Sequence, residues 1–229
     1  MTADSFTPNA GRQVIGILGG TGDQGRGLGL RLAVAGHDVI LGSRDVERAT
    51  AAAQDVLQRR PGLTLAVRGA SNADAAASAD TVIAAVPYDG HRELLSTLAP
   101  ALAGKIVVDC VNPLEFDKRG AMLRSVPEGS SAEEAHTVLP ESRVVSAFHD
   151  VSAKLLLDDA SEIPTDVLVC GDDEDANRYV AELASAVPGM RGVIVGPLRL
   201  SCILESLTCV LVGVNRRYKT HSGVRITGV

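Results

Sequence analysis

Val14-Ile15-Gly16-Ile17-Leu18-Gly19-Gly20-Thr21-Gly22-Asp23-Gln24-Gly25 decides how this 229-residue chain folds. Val14–Leu18 reads as a buried strand, which the glycines break into a tight turn. Gly20, Gly22 and Gly25 have the spacing that turns the chain, lets backbone approach a pyrophosphate, and brings helix close to strand. A helix opening near Asp23 points unpaired N–H groups at that anion. About twenty residues on, Asp38-Val39-Ile40-Leu41-Gly42 predicts a second strand that runs into Ser43-Arg44, with Arg48 one helical turn beyond. An NAD site usually has Asp or Glu here for the ribose hydroxyls. Arginines suit a 2′-phosphate instead, because a guanidinium pairs with it bidentately, at roughly 1.5–3 kcal/mol per charge-assisted bond. Two such contacts favour NADP over NAD by about a hundredfold or more. Asp45 stands beside them and leaves a ribose-diol contact, and hence NAD, open.

Working outward, the pattern alternates. Helices are expected over 23–35, from the second strand through 58, and over 71–79, 88–98 and 132–138. Strands are expected over 39–41, 63–67, 81–86, 106–111 and 143–148. The unbroken apolar run at 81–86 is what a strand covered on both faces requires. The fold class is therefore α/β, a doubly wound parallel Rossmann sheet whose ligands lie beyond the carboxyl ends of the strands. After residue 148 the pattern changes to strand 167–170, helix 174–187, strand 193–195 and a long helix over 198–217. This predicts a flexible tail (1–12), a dinucleotide-binding domain (13–148) and a smaller C-terminal α/β domain (149–229) packed directly on it. In the last helix Ile203, Leu207, Val210, Leu211 and Val214 recur at helical spacing, which reads as a core or dimer-packing face.

With no Trp and 3% aromatic residues, the core must be aliphatic. No run approaches the eighteen or more apolar residues of a membrane span, and residues 1–12 lack the apolar stretch of a signal peptide. Cys110, Cys170, Cys202 and Cys209 lack metal-type spacing and are expected as buried thiols in a reducing cytoplasm, with no metal site. Net charge is −6, unevenly spread. Residues 149–190 hold ten acidic against two basic side chains; residues 191–229 hold six basic against Glu205 alone. Such a basic segment can focus an anionic ligand. Without aromatic interleaving or a binding-module signature, nucleic acid is not expected.

The chain resembles the NADPH:F420 oxidoreductases, also called F420-dependent NADP reductases. The resemblance runs through Gly19-Gly20-Thr21-Gly22, Gly42-Ser43-Arg44, Val86-Pro87-Tyr88 and Val144-Val145-Ser146-Ala147-Phe148-His149. It continues in Cys170-Gly171-Asp172-Asp173, Gly196-Pro197-Leu198, Glu205-Ser206-Leu207-Thr208 and Arg217-Tyr218-Lys219, covering almost everything after the first dozen residues. It implies hydride exchange between NADP(H) and coenzyme F420, an 8-hydroxy-5-deazaflavin, in a cleft completed by the C-terminal domain. Carried over by position, Thr21, Ser43, Arg44 and Arg48 hold the 2′-phosphate, and Gly22, Asp23 and Gln24 the pyrophosphate. Pro87, Tyr88, Leu114, His149, Val151 and Ala153 then line the way to the two rings. Two positions depart from the family's pattern: Val151 stands where Ile is expected, and Cys202 where Arg is common, with Arg199 nearby.

Hydride transfer between two redox rings asks the protein for alignment and water exclusion rather than acid–base chemistry. His149 is the one histidine assigned a catalytic role, bonding a cofactor or polarising a deazaflavin carbonyl. His37, His91, His136 and His221 are expected at the surface. Arg216, Arg217, Lys219 and Arg225 could attract an anionic F420 tail, or simply form a solvated helix end. Partners are expected to be small redox cofactors and a second copy of the chain. The alternatives are a small NADP-dependent reductase of ketones or imines, and a non-enzymatic NADPH sensor.

Overall fold

The computed structural model describes residues 11–158 and 162–229. Strands and helices alternate as β1 (Val14–Leu18), α1 (Asp23–Val34), β2 (Asp38–Ser43), α2 (Val46–Gln58), β3 (Val67–Ser71), α3 (Asn72–Ser78), β4 (Thr81–Ala84), α4 (His91–Leu102) and β5 (Ile106–Asp109). A short hairpin, β6 (Leu114–Phe116) with β7 (Ala121–Leu123), precedes α5 (Ser131–Val138) and β8 (Arg143–Ser146). The chain continues through α6 (Ala153–Leu157), β9 (Asp166–Gly171), α7 (Glu174–Ser185), β10 (Arg191–Gly196) and, after one 3-10 turn, α8 (Ser201–Tyr218).

Eight strands form one sheet in the order β10-β9-β8-β5-β4-β1-β2-β3. Consecutive side chains of a strand face opposite ways, so both sheet faces must be covered. In β4, Ile83 enters one core cluster with Leu28, Leu32 and Val108, while Val82 and Ala84 enter another with Leu95 and Leu98. The strand order reverses between β1 and its neighbours β4 and β2, which opens a crevice at their carboxyl ends. That crevice fixes where a ligand can go.

The expected Rossmann sheet is present, with one difference. β9 pairs antiparallel with β8, while β9 and β10 run parallel to each other, so the C-terminal strands extend the first sheet. An apolar run has the same pattern in either direction, which is why the sequence did not reveal the reversal. Thr81 Oγ1, at the start of β4, also bonds the Tyr179 hydroxyl of α7 at 3.2 Å, tying the two parts together. Arg12, placed in the flexible tail, bonds both carboxylate oxygens of Asp38; residues 1–10 lie outside the described residues.

Four local expectations shift. The third strand sits at Val67–Ser71 rather than 63–67, leaving Leu63 50% exposed. Gly69 decides this: a Cβ there would lie 2.3 Å from the Ala49 and Thr50 backbone, so only glycine lets α2 pack on the strand. β4 ends at Ala84 and α4 begins at His91 after Gly90, whose φ of 91° suits glycine, so residues 85–90 are loop rather than strand and helix. The β6–β7 hairpin and α6 stand where only a loop and a polar stretch are expected. Finally, His37 and His91 are buried, and Cys202 and Cys209 are only half-buried, against expectation; Cys110 and Cys170 are buried as expected. No group of side chains that could hold a metal occurs among the described residues.

Candidate cofactor site

The turn after β1 is built by backbone contact. Gly19 has φ of 71°, and its Cβ would lie 2.7 Å from the Ala85 carbonyl. A Cβ on Gly20 would lie 2.8 Å from Leu41 Cα, and one on Gly25 would lie 2.7 Å from Gly20 Cα. These positions have no room for a side chain. Gly22 differs: its Cβ would meet only the Gly19 carbonyl, at an ordinary 3.6 Å. It precedes α1 without offering a side-chain cap, so the first-turn amides have no partner within the helix and suit an anion. The Asp23 carboxylate pairs with Arg26, and the Gln24 amide donates to the Phe148 carbonyl at 3.2 Å. Only the backbone of Asp23 and Gln24 is left to face a pyrophosphate.

Beside this turn lies a cleft of about 550 Å³. Thr21, Gly22, Ser43, Arg44 and Arg48 line one side, and Val86, Pro87 and Gly90 the other. Among the described residues Arg44 and Arg48 have no recorded ion pair, and both are exposed. The Asp45 carboxylate, by contrast, accepts from the Glu47 and Arg48 amides at 2.9 and 3.2 Å, capping α2. That cap engages one carboxylate oxygen only, and Asp45 also lines the cleft. Ser43 Oγ accepts from Asp45 N at 3.2 Å and keeps its proton to donate. This end of the cleft can take a phosphate monoester.

Across Ala85 and Val86 the cleft meets a smaller hollow of about 190 Å³, lined by Gln24, Cys110, Val111, Asn112 and His149. Three side chains pin its rim. Gln24 holds the Phe148 carbonyl, while Asn112 Nδ2 and Thr208 Oγ1 donate to the His149 carbonyl at 2.9 and 3.1 Å. They hold a strained turn, since Phe148 is non-glycine at φ 66°. The His149 ring is buried, and burial pushes its pKa down to about 4 against the pull of the Asp109 charge. It is neutral at physiological pH. Nε2 lies 2.7 Å from Ser146 Oγ, while Nδ1 is buried, with the Val111 and Cys110 backbone beside the ring.

The remaining expected site residues lie off this hollow. Tyr88 packs under the Arg124 guanidinium, with its hydroxyl 3.3 Å from Glu134 in an adjacent surface dip. Leu114 opens the hairpin strand β6. Val151 is buried in the main core cluster, and Ala153 begins α6, which packs on α1. Sequence reasoning missed Asn72, whose Oδ1 accepts from Gly19 N at 3.3 Å and which lines the larger cleft. It also missed Asn112 as the anchor of the His149 turn. The signal for Asn72 was available: a polar residue beginning a helix at a carboxyl strand end.

Fold and cleft together define a Rossmann protein that binds an NADP-type dinucleotide. A family profile described as NADP oxidoreductase, coenzyme F420-dependent, matches residues 14–113. The F420-dependent NADP reductase of Methanothermobacter thermautotrophicus is 40% identical over 94% of this chain and 95% of its own length. That of Methanocaldococcus jannaschii is 42% identical over 94% and 98%. A solved structure provisionally assigned as an F420-dependent NADP reductase, from Arthrobacter sp. FB24, superposes with a TM-score of 0.80. It is 29% identical and covers 95% of this chain and 100% of that one. The chain belongs to the F420-dependent NADP reductase family.

Proposed function

We infer that this protein transfers a hydride between NADP(H) and coenzyme F420. The observation that carries the reading is the two-ended cleft: a phosphate-binding end with two unengaged arginines, and a smaller end around a neutral imidazole. The family likeness over nearly the whole chain supplies the second redox partner. The bound coenzymes bring the redox chemistry, with a hydride passing from one ring to the other. The protein's part is placement. Ser43, Arg44 and Arg48 take the 2′-phosphate, and the α1 amides take the pyrophosphate. Thr21 lines the same cleft. Ala85, Val86 and the pinned 148–149 turn then shape the nicotinamide end and exclude water. The neutral His149 imidazole is offered as a hydrogen-bonding group to a cofactor ring, not as a proton donor at neutral pH. Among the described residues the smaller hollow is lined by no Lys or Tyr, which suits ring-to-ring transfer better than reduction of a ketone or imine.

The reading extends to a homodimer. Ile203 and Val210 on α8 are 61% and 59% exposed, and Phe116 and Met122 of the hairpin packed beside α8 are exposed too. An apolar surface of this kind suits a second copy. Leu198–Tyr218 is long and apolar enough to cross a membrane by length and composition. Glu205 within it, however, is fully buried and accepts from Ser131 N of α5 at 2.9 Å, which supports a helix docked on the protein body. Four free thiols accord with a cytoplasmic setting.

The test is a turnover assay with purified protein, NADPH and oxidised F420. Loss of the deazaflavin's visible absorbance is expected, dependent on both protein and NADPH. Turnover of an imine or ketone without any loss of F420 absorbance would refute the reading.

A further inference from the structure

His91 begins α4 directly after the wall segment 85–90 and is completely buried. Its Nε2 lies 2.6 Å from Asp109 Oδ2 and its Nδ1 2.9 Å from Glu134 Oε1. Ionised carboxylates only accept, so both ring nitrogens donate and the ring is an imidazolium. Burial alone would push its pKa down; the Asp109 and Glu134 charges overcome that and raise it to about 9. Asp109 is the last residue of β5, immediately before the wall segment 110–112. Its Oδ1 accepts from Val111 N at 3.0 Å and lies 3.0 Å from Ser131 Oγ. One wall of the nicotinamide end therefore finishes at His91, and the other starts at the carboxylate His91 holds.

Resting on the dinucleotide reading above, we propose that His91 is a positioning residue for the nicotinamide half of NADP(H), its imidazolium clamping segments 85–90 and 110–112 together. Without the ring proton, a nitrogen lone pair faces a carboxylate, and a buried negative charge loses its partner. The two segments then separate. The adenosine end is spared, because Ser43, Arg44 and Arg48 stand on β2 and α2. With the folded pKa raised to about 9, the ring keeps its proton through neutral pH and the clamp is lost as pH rises through about 9. The other groups around it are few. Arg92 and the Tyr88 hydroxyl bond Glu134, each at 3.3 Å; Glu205 reaches Asp109 through Ser131; and His149, next to Asp109, is neutral. Burial raises the Glu205 pKa to about 8, so its titration must be separated from that of His91.

Equilibrium binding of NADPH and of 2′,5′-ADP, which carries only the phosphorylated adenosine half, is measured from pH 7 to 10.5. The NADPH Kd is expected to hold until about pH 8.5 and then climb, approaching about tenfold per pH unit. The 2′,5′-ADP Kd stays flat. His91→Gln binds NADPH about tenfold more weakly at pH 7 and shows no further climb, while Glu205→Gln keeps the wild-type climb. A flat NADPH profile, or parallel loss of both ligands, overturns the proposal, and the wild-type profiles decide it even if His91→Gln fails to fold. Failure of wild-type protein to bind either ligand at pH 7 refutes the dinucleotide reading itself.

Discussion

The two ends of the cleft are built in different ways. At the phosphate end, function lies in residues adjacent in sequence: the Gly20–Gly25 turn, then Ser43, Arg44 and Arg48 at the end of β2. At the nicotinamide end, the contacts that tie the walls together span the chain. Gln24 reaches Phe148 across 124 residues, His91 reaches Glu134 across 43, and Thr208 reaches His149 across 59. A local turn is specified by local chemistry and can be read along the chain. A wall made of distant side chains cannot, because its partners meet only after the sheet has formed.

The glycines sharpen that contrast first. Gly25→Ala drives a Cβ against Gly20 Cα, and backbone cannot yield as a side-chain tip does. A loss of about 2–3 kcal/mol is expected, roughly 4–12 °C in Tm by calorimetry, together with loss of NADPH binding. Gly22→Ala has free space, so Tm should move by less than about 2 °C. NADPH affinity should nevertheless fall, because a methyl group enters the pyrophosphate cradle. Equal Tm losses for the two variants would mean that Gly22 serves packing rather than the ligand.

Gln24→Ala removes one of the three ties on the strained 148–149 turn. A net hydrogen bond is worth about 1 kcal/mol, so kcat/KM with NADPH and F420 should fall about fivefold. The Kd of 2′,5′-ADP should not change. Weaker binding of that fragment would show that Gln24 serves the phosphate end instead.

The smallest effect concerns stability against pH. Glu205 is raised to about 8 by burial, with the Asp109 charge acting in the same direction. A raised carboxyl pKa means that the folded state holds its proton above the ordinary value near 4.5. Its contribution therefore declines from there and is lost as pH passes about 8. Glu205→Gln should lose less Tm between pH 6 and 9 than the wild type does. An unchanged difference would place the alkaline loss elsewhere.

Most of the architecture was legible in the sequence. The strand–helix alternation through β5, the glycine turn and the Ser43-Arg44 pair follow from patterns that depend on neighbours only. What escaped depended on packing. The third strand slid to Val67–Ser71 because Gly69, not Leu63, fits against α2. The β9 reversal leaves apolar alternation unchanged. His91 reads as a surface residue, since nothing near it in sequence announces Asp109 or Glu134. Tyr88, Leu114, Val151 and Ala153 came from family likeness by position, and none lines either part of the described cleft. The cap that Asp45 makes through one carboxylate oxygen is a local contact that sequence permits but does not require.

The most direct measurement compares kcat/KM for NADPH and NADH, each with F420, in wild type and in the double variant Arg44→Ala, Arg48→Ala. Loss of two charge-assisted contacts should lower the preference for NADPH by about a hundredfold or more, almost wholly through a higher KM for NADPH, with NADH little changed. An unchanged preference, or an equal loss with both coenzymes, would contradict a cleft whose two arginines hold the 2′-phosphate.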